Sequence, residues 1–337
     1  MAEKHPFPFD PTYGYDAVGL RVVEPPGDGV GGEPADLEAF WRGTYEAALR
    51  VEAEPVVREV ACSVAGYRLA EVGFVGWDAE RGTRRLGGWM LWPEVEEPVV
   101  GVVWTHGYGG RSEPPGEVFG LDDGGVPVAY WVPCLRGFDR SAAGDLPSSA
   151  GWHVLHGIGS RETYVHRGNA ADVWASASAL LEVFPGVRDR LLYWGGSFGG
   201  GIGALGVPWD ERFAAAFWDL PSFGHHPIRL GCECVGSGEA VRMYHGRHPE
   251  VVGVLRYFDA ALTAGYMMRP TMVGAALFDP AVPPPGQFAV FNGLRRGGCE
   301  RELFVRRYGH YAEGEALGGS DPVPAACVWL RGVLGLG

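Results

Sequence analysis

The stretch Arg190-Leu191-Leu192-Tyr193-Trp194-Gly195-Gly196-Ser197-Phe198-Gly199-Gly200-Gly201-Ile202-Gly203-Ala204 decides the fold. Its first half, Leu191 to Trp194, is a short apolar and aromatic run that reads as a buried strand. The small residues after Ser197 read as a helix. Between the two, Gly195-x-Ser197-x-Gly199 has the spacing of a tight strand-to-helix turn, which holds a serine at backbone angles few residues tolerate. Glycines at 195 and 199 suit such a turn, because a Cβ there would collide with the neighbouring strand or helix. The turn would lift the Ser197 hydroxyl clear of the sheet, at the positive end of the helix that follows. A Gly-rich loop with an inert serine shares this spacing, so the remaining chain must supply a base, an acid and an oxyanion hole.

Composition narrows the field. The chain has 337 residues, 46% hydrophobic and 20% charged, enough to bury a large α/β core. Its 54 glycines are spread without period, which excludes a collagen-like or low-complexity chain. A net charge of −13 excludes a nucleic-acid partner, because the phosphate backbone demands a basic surface. The first residues lack the apolar core of a signal peptide, and no apolar run is long enough to span a bilayer. The expectation is a cytoplasmic protein with no membrane contact, its six cysteines reduced. Cys232 and Cys234 lie near His225, His226, His245 and His248, but their spacing is not that of a zinc ribbon or finger. No metal and no cofactor is expected.

Working outward, residues 1–34 read as a Pro- and Gly-rich arm. Asp36 then caps a helix over residues 37–50 that carries Leu37, Phe40, Trp41, Tyr45 and Ala48 at helical spacing. Residues 1–55 are thus expected to pack as arm and helix on a main domain of residues 56–337. Three runs rich in Val, Tyr, Phe and Trp follow, Val56 to Val64, Tyr67 to Trp77 and Arg84 to Trp92, and they read as an antiparallel meander. From residue 98 strands alternate with helices, the mark of a mainly parallel sheet. Strands are predicted at Val99 to Trp104, Val126 to Val132, Ala214 to Leu220, Thr271 to Phe278 and Glu302 to Arg307, besides the one at Leu191. Helices are predicted at Thr163 to Phe184, Pro284 to Leu294 and Pro322 to Leu334. Residues 221–265 break the rhythm as a cap-like insertion, with a helical run from Val251 to Leu262. The fold class is α/β: a mainly parallel, doubly wound sheet with N-terminal antiparallel strands and a small insertion after the sixth strand.

In an α/β-hydrolase sheet the nucleophile, acid and histidine follow one another along the chain, at the carboxyl ends of successive strands. Asp279 follows the strand ending at Phe278, and His310 follows the strand ending at Arg307. Ser197 would need His310 to take its proton, and Asp279 would fix the imidazole tautomer. Asp219, at the end of the strand after the nucleophile, is the rival acid. Asp259 and Glu300 are poorly placed. Two backbone N–H groups would form the oxyanion hole: that of Phe198, next to the nucleophile, and that of Tyr108 in His106-Gly107-Tyr108-Gly109-Gly110. Tyr108 and Phe198 would also line the substrate site.

The sequence resembles the acetyl xylan esterase and cephalosporin C deacetylase family of α/β-hydrolases. The resemblance rests on Leu37 to Trp41, Phe74 to Trp77, Gly88 to Pro93, His106-Gly107-Tyr108, Arg136-Gly137, Gly195 to Gly200, Asp279 before Pro283-Pro284, and Gly309-His310. It implies Ser197, Asp279 and His310 as a triad, with Tyr108 and Phe198 as oxyanion donors. It also implies removal of acetyl groups from small sugars or related esters by a ring-shaped homohexamer. Three positions depart from the family's pattern: Phe198 replaces its Gln, Phe138-Asp139-Arg140 replace its Gln and glycines, and Tyr311 replaces its Glu. A side-chain change at 198 leaves the N–H in place but bears on the acyl and alcohol groups accepted. The reading is therefore a serine carboxylic-ester hydrolase for short acyl groups, with a serine peptidase or amidase on the same fold, or a non-catalytic scaffold, as alternatives.

Overall fold

The computed structural model describes residues 5–122, 124–316 and 321–336. Residues 1–4 of the expected arm lie outside this set. Among the described residues nine strands form one sheet: β1 (Val56–Val60), β2 (Tyr67–Asp78), β3 (Gly82–Pro93), β4 (Val100–Thr105), β5 (Val128–Cys134), β6 (Leu191–Gly196), β7 (Phe213–Asp219), β8 (Thr271–Phe278) and β9 (Arg301–Tyr308). Their spatial order is β1-β2-β3-β5-β4-β6-β7-β8-β9. The pairs from β1 to β5 across β2 and β3 are antiparallel, and every pair from β5 across to β9 is parallel.

Alternation along the central strands fills both faces, as a sheet covered by helices on two sides requires. On β5, Ala129 and Trp131 enter one core while Val128, Tyr130 and Val132 enter the other. On β6, Leu191 and Tyr193 face the first core and Leu192 and Trp194 the second. Helices Val165–Val183 and Phe198–Gly206 cover the first face. Helix Val323–Val333 covers the second through Ala326, Cys327 and Leu330.

The main departures from the sequence reading have local causes. The first strand stops at Val60 rather than Val64, because the chain turns where Tyr67 N donates to Val64 O at 3.2 Å. The insertion follows β7, one strand later than the sixth, since the whole N-terminal meander joins the same sheet. Its expected helix from Val251 to Leu262 is broken into Val252–Leu255 and Ala260–Thr263. Asp259 breaks it: its extended backbone ends one segment, and its carboxylate caps the next by accepting from Ala261 N. Asp36 occupies the N-cap position of helix Leu37–Leu49 without a capping bond. Its carboxylate instead takes the Arg161 guanidinium at 2.7 Å and the Tyr257 hydroxyl. Trp41 of that helix is buried and donates to Tyr257 O at 2.9 Å.

Parallel β4, β6, β7, β8 and β9 place His106, Ser197, Asp219, Asp279 and His310 at one end of the sheet. Beside them, the chain leaving β5 is held by a buried ion pair. Arg136 donates through Nε at 3.0 Å and Nη2 at 2.7 Å to Asp172, and through Nη2 to Trp77 O at 2.6 Å. Burial pushes the Asp172 carboxyl up, against the pull of Arg136. Removing one partner of such a pair strands a buried charge. Arg136→Ala should therefore destabilise the protein by about 3–5 kcal/mol in denaturant unfolding; a loss well under 1 kcal/mol would contradict this account.

Candidate active site

Ser197 sits between β6 and helix Phe198–Gly206 with φ 55° and ψ −114°. The turn is tight because a Cβ on Gly195 would lie 2.6 Å from Gly199 C, and one on Gly199 would lie 2.5 Å from Thr105 Oγ1. Tyr193 holds this packing in place: its hydroxyl donates to Gly199 O at 2.6 Å and pairs with Thr105 Oγ1 at 2.7 Å. Ser197 N donates to Asp219 O at 2.8 Å.

The side chains of Ser197, His310 and Asp279 form a row. His310 Nε2 lies 2.9 Å from Ser197 Oγ, and Nδ1 lies 2.8 Å from Asp279 Oδ2. The carboxylate end of the row is fixed on all sides. Asp279 is buried; its Oδ1 accepts from Ala281 N and Val282 N, both at 2.9 Å, and its Oδ2 accepts from Gln287 Nε2 at 3.0 Å. An ionised carboxylate with these partners leaves Nδ1 of His310 as donor and Nε2 free to accept from the serine hydroxyl. Gly309 allows the approach, since a Cβ there would stand 2.5 Å from Asp279 Oδ2.

Two opposing effects set the charge of His310. Burial pulls its pKa down, while the Asp279 carboxylate, by charge and hydrogen bond, and Asp219 raise it; the net direction is up from 6.5. Asp219, the rival acid, makes no bond to the imidazole in this arrangement. Its Oδ2 pairs with Arg306 at 3.1 Å.

The loop after β4 lies across the nucleophile turn. His106 fastens it: the ring takes Gly107 O at Nδ1, 2.7 Å, and the Leu135 N–H at Nε2, 3.0 Å, and burial lowers its pKa to about 4. The ring of Tyr108 stacks on that of Phe198 with centroids 4.0 Å apart and planes at 17°. The two residues expected to offer oxyanion N–H groups are thereby packed against each other. The Phe198 ring is 0% exposed, within His106, Phe138, His153, His166 and Phe223. It presents no side-chain surface to a substrate, so its direct contact would be through its backbone.

Sequence reasoning missed Gln287. It sits one turn into helix Pro284–Gly297, fully buried, with Nε2 on Asp279 Oδ2 and Val282 O and Oε1 accepting from Ala276 N at 2.8 Å. A lone amide in the apolar run Phe288-Ala289-Val290 is the signal that marks it. Cys232 and Cys234 are free thiols pushed up to about 11 by burial. Among the described residues no three His, Cys, Asp or Glu group to hold a metal ion, and no helix is long and apolar enough to cross a membrane.

A family model described as acetyl xylan esterase (AXE1) matches residues 28–318. Among solved structures, the acetyl xylan esterase from Paenibacillus sp. R4 superposes with a TM-score of 0.74 at 19% identity, covering 95% of this chain and 99% of that one. Acetyl xylan esterase 1 from Thermoanaerobacterium sp. JW/SL YS485 gives a TM-score of 0.76 at 18% identity, covering 97% and 99%. Prolyl oligopeptidase B from Galerina marginata gives 0.54 at 14% identity, covering 81% of this chain but 37% of its own. These likenesses show the α/β-hydrolase fold.

Two outcomes follow from the row's geometry. A reaction that uses neutral His310 as base should lose kcat/KM as pH falls through a midpoint above 6.5, the direction in which Asp279 moves it. A midpoint well below 6.5 would contradict that electrostatic reading. Gln287→Leu should lower kcat roughly tenfold with KM nearly unchanged, because it removes one donor from the acid; an unchanged kcat would show that Gln287 does not position Asp279.

Proposed function

Because the chain belongs to the acetyl xylan esterase family, we propose that it removes short acyl groups, chiefly acetyl, from sugars or related alcohols through an acyl-enzyme on Ser197. The observation that carries this reading is the unbroken row Ser197 Oγ, His310 and Asp279, with contacts of 2.9 and 2.8 Å. Ser197 Oγ attacks the ester carbonyl carbon while His310 Nε2 takes its proton. The carbonyl oxygen gains charge facing the N–H groups of Phe198 and Tyr108, each worth roughly 3–4 kcal/mol of barrier in such sites. The tetrahedral intermediate collapses, the C–O bond to the alcohol breaks, and His310 hands its proton to the leaving oxygen. Water then attacks the acyl-enzyme, His310 takes a proton from it, and the same proton returns to Ser197 as the acid departs. Asp279 stays ionised throughout and stabilises the imidazolium formed in each half.

The preference for small acyl groups rests on the packing around the nucleophile. The stacked Tyr108 and Phe198 rings fill the space beside Ser197, and neither can move without displacing Phe138 or His153. The test is a series of p-nitrophenyl esters from acetate to octanoate, with wild type and Ser197→Ala, followed by acetylated xylo-oligosaccharides, glucose pentaacetate and 7-aminocephalosporanic acid. Acetate should be fastest, and Ser197→Ala should lose roughly 10⁴-fold or more. Equal rates in the two proteins would remove Ser197 from the mechanism. An optimum beyond butyrate would remove the acetyl preference.

A further inference from the structure

Arg229 closes the short helix His226–Arg229 within the 221–265 insertion. It is 7% exposed, and its Nη1 is buried without a hydrogen-bond partner. The contrast with other buried arginines is sharp. Arg84 faces Asp78 and Asp145, and Arg136 faces Asp78 and Asp172. Among the described residues Arg229 forms no ion pair. Its guanidinium stands over the Phe223 ring at 5.6 Å, and a phenyl face returns only a fraction of the hydration that a buried cation gives up.

That guanidinium borders an enclosed cavity of about 10 Å³, walled by Tyr164, Phe223, His226, Leu230 and Val241. This is the space of one water-sized sphere. Arg229 is its one charged lining residue. His226, pushed down to about 3 by burial, is neutral and is committed through Nε2 to Phe258 O at 3.0 Å. Asp259 in the same insertion spends its carboxylate on the N–H groups of His225, His226 and Ala261. A second orphaned donor stands behind the wall. His166 packs on Phe223 at 4.4 Å and on Tyr164 at 4.6 Å. Asn169 Nδ2 donates to its Nδ1 at 3.1 Å, so the neutral ring carries its hydrogen on Nε2, and that atom is buried without a partner.

We propose that this cavity binds one monovalent anion of halide size, held by Arg229. A buried positive charge with no carboxylate, a donor free on its cavity side and room for a single small sphere together define that ligand class; acetate and larger carboxylates exceed the space. The site is separate from the serine row and does not depend on what that row hydrolyses.

Bromide is the probe. Crystals of the full chain soaked in sodium bromide should show an anomalous peak within hydrogen-bond distance of Arg229 Nη1, absent in Arg229→Met. Thermal unfolding in sodium bromide against sodium gluconate at equal ionic strength should raise the wild-type Tm by roughly 2–4 °C, by ligand linkage. That difference should vanish in Arg229→Met. An ordered water in place of bromide, or the same salt response in both proteins, would overturn the proposal. If Arg229→Met does not fold, the wild-type density decides alone: bromide at Arg229 supports the site, and its absence there refutes it.

Discussion

Ser197 holds a backbone conformation, φ 55° and ψ −114°, that an L-residue adopts only under duress, at a cost of order 1–3 kcal/mol. Everything near it serves to keep it there. Gly195 and Gly199 allow the strand and helix to touch, the Tyr193 hydroxyl ties Gly199 to Thr105 of the neighbouring strand, and the Ser197 N–H is anchored on Asp219 O. The constraint reaches the sheet as a whole. β4, β6 and β7 must be adjacent and parallel for Thr105, Ser197 and Asp219 to meet, and their order in the sheet provides that.

The other half of the site is an electrostatic construction. A buried carboxylate is costly unless its lone pairs are satisfied, and Asp279 has two backbone N–H groups, the Gln287 amide and the His310 ring to satisfy them. Those same partners fix where Oδ2 points, and therefore the tautomer and angle of His310. The arm adds a further tether, with Asp279 N donating to Pro11 O at 3.1 Å and the Phe7 ring set edge-on to Tyr311 at 5.4 Å. Residues near the start of the chain thus brace the loop that carries the acid. The packing that sets the serine is local to β4 and β6, whereas the packing that sets the acid and histidine draws on residues far apart in sequence.

This difference explains what could be read in advance. The strands near the elbow were legible because alternating or continuous apolar runs leave few other options, and the sheet's parallel half followed from their alternation with helices. The order of Ser197, Asp279 and His310 was legible because each follows a strand directly. Gln287 was not, since nothing local shows that a helical amide will reach back across a loop. Asp219 stayed a rival until the structure placed Arg306 beside it. The break in the 251–262 helix depended on Asp259 reaching three separate N–H groups, two of them more than thirty residues away. The Phe198 side chain looked like a substrate contact because it follows the nucleophile, yet its ring turns inward to Tyr108 and the buried histidines.

The central claim is that Ser197 is activated by His310 and becomes acylated. The most direct measurement is the mass of the intact protein, followed by peptide mapping, after reaction with a serine-directed fluorophosphonate at several pH values. The account predicts a single adduct on Ser197, forming faster as His310 loses its proton above pH 6.5 and absent in His310→Ala and Ser197→Ala. An adduct on another residue, or labelling of Ser197 that persists unchanged in His310→Ala, would contradict it.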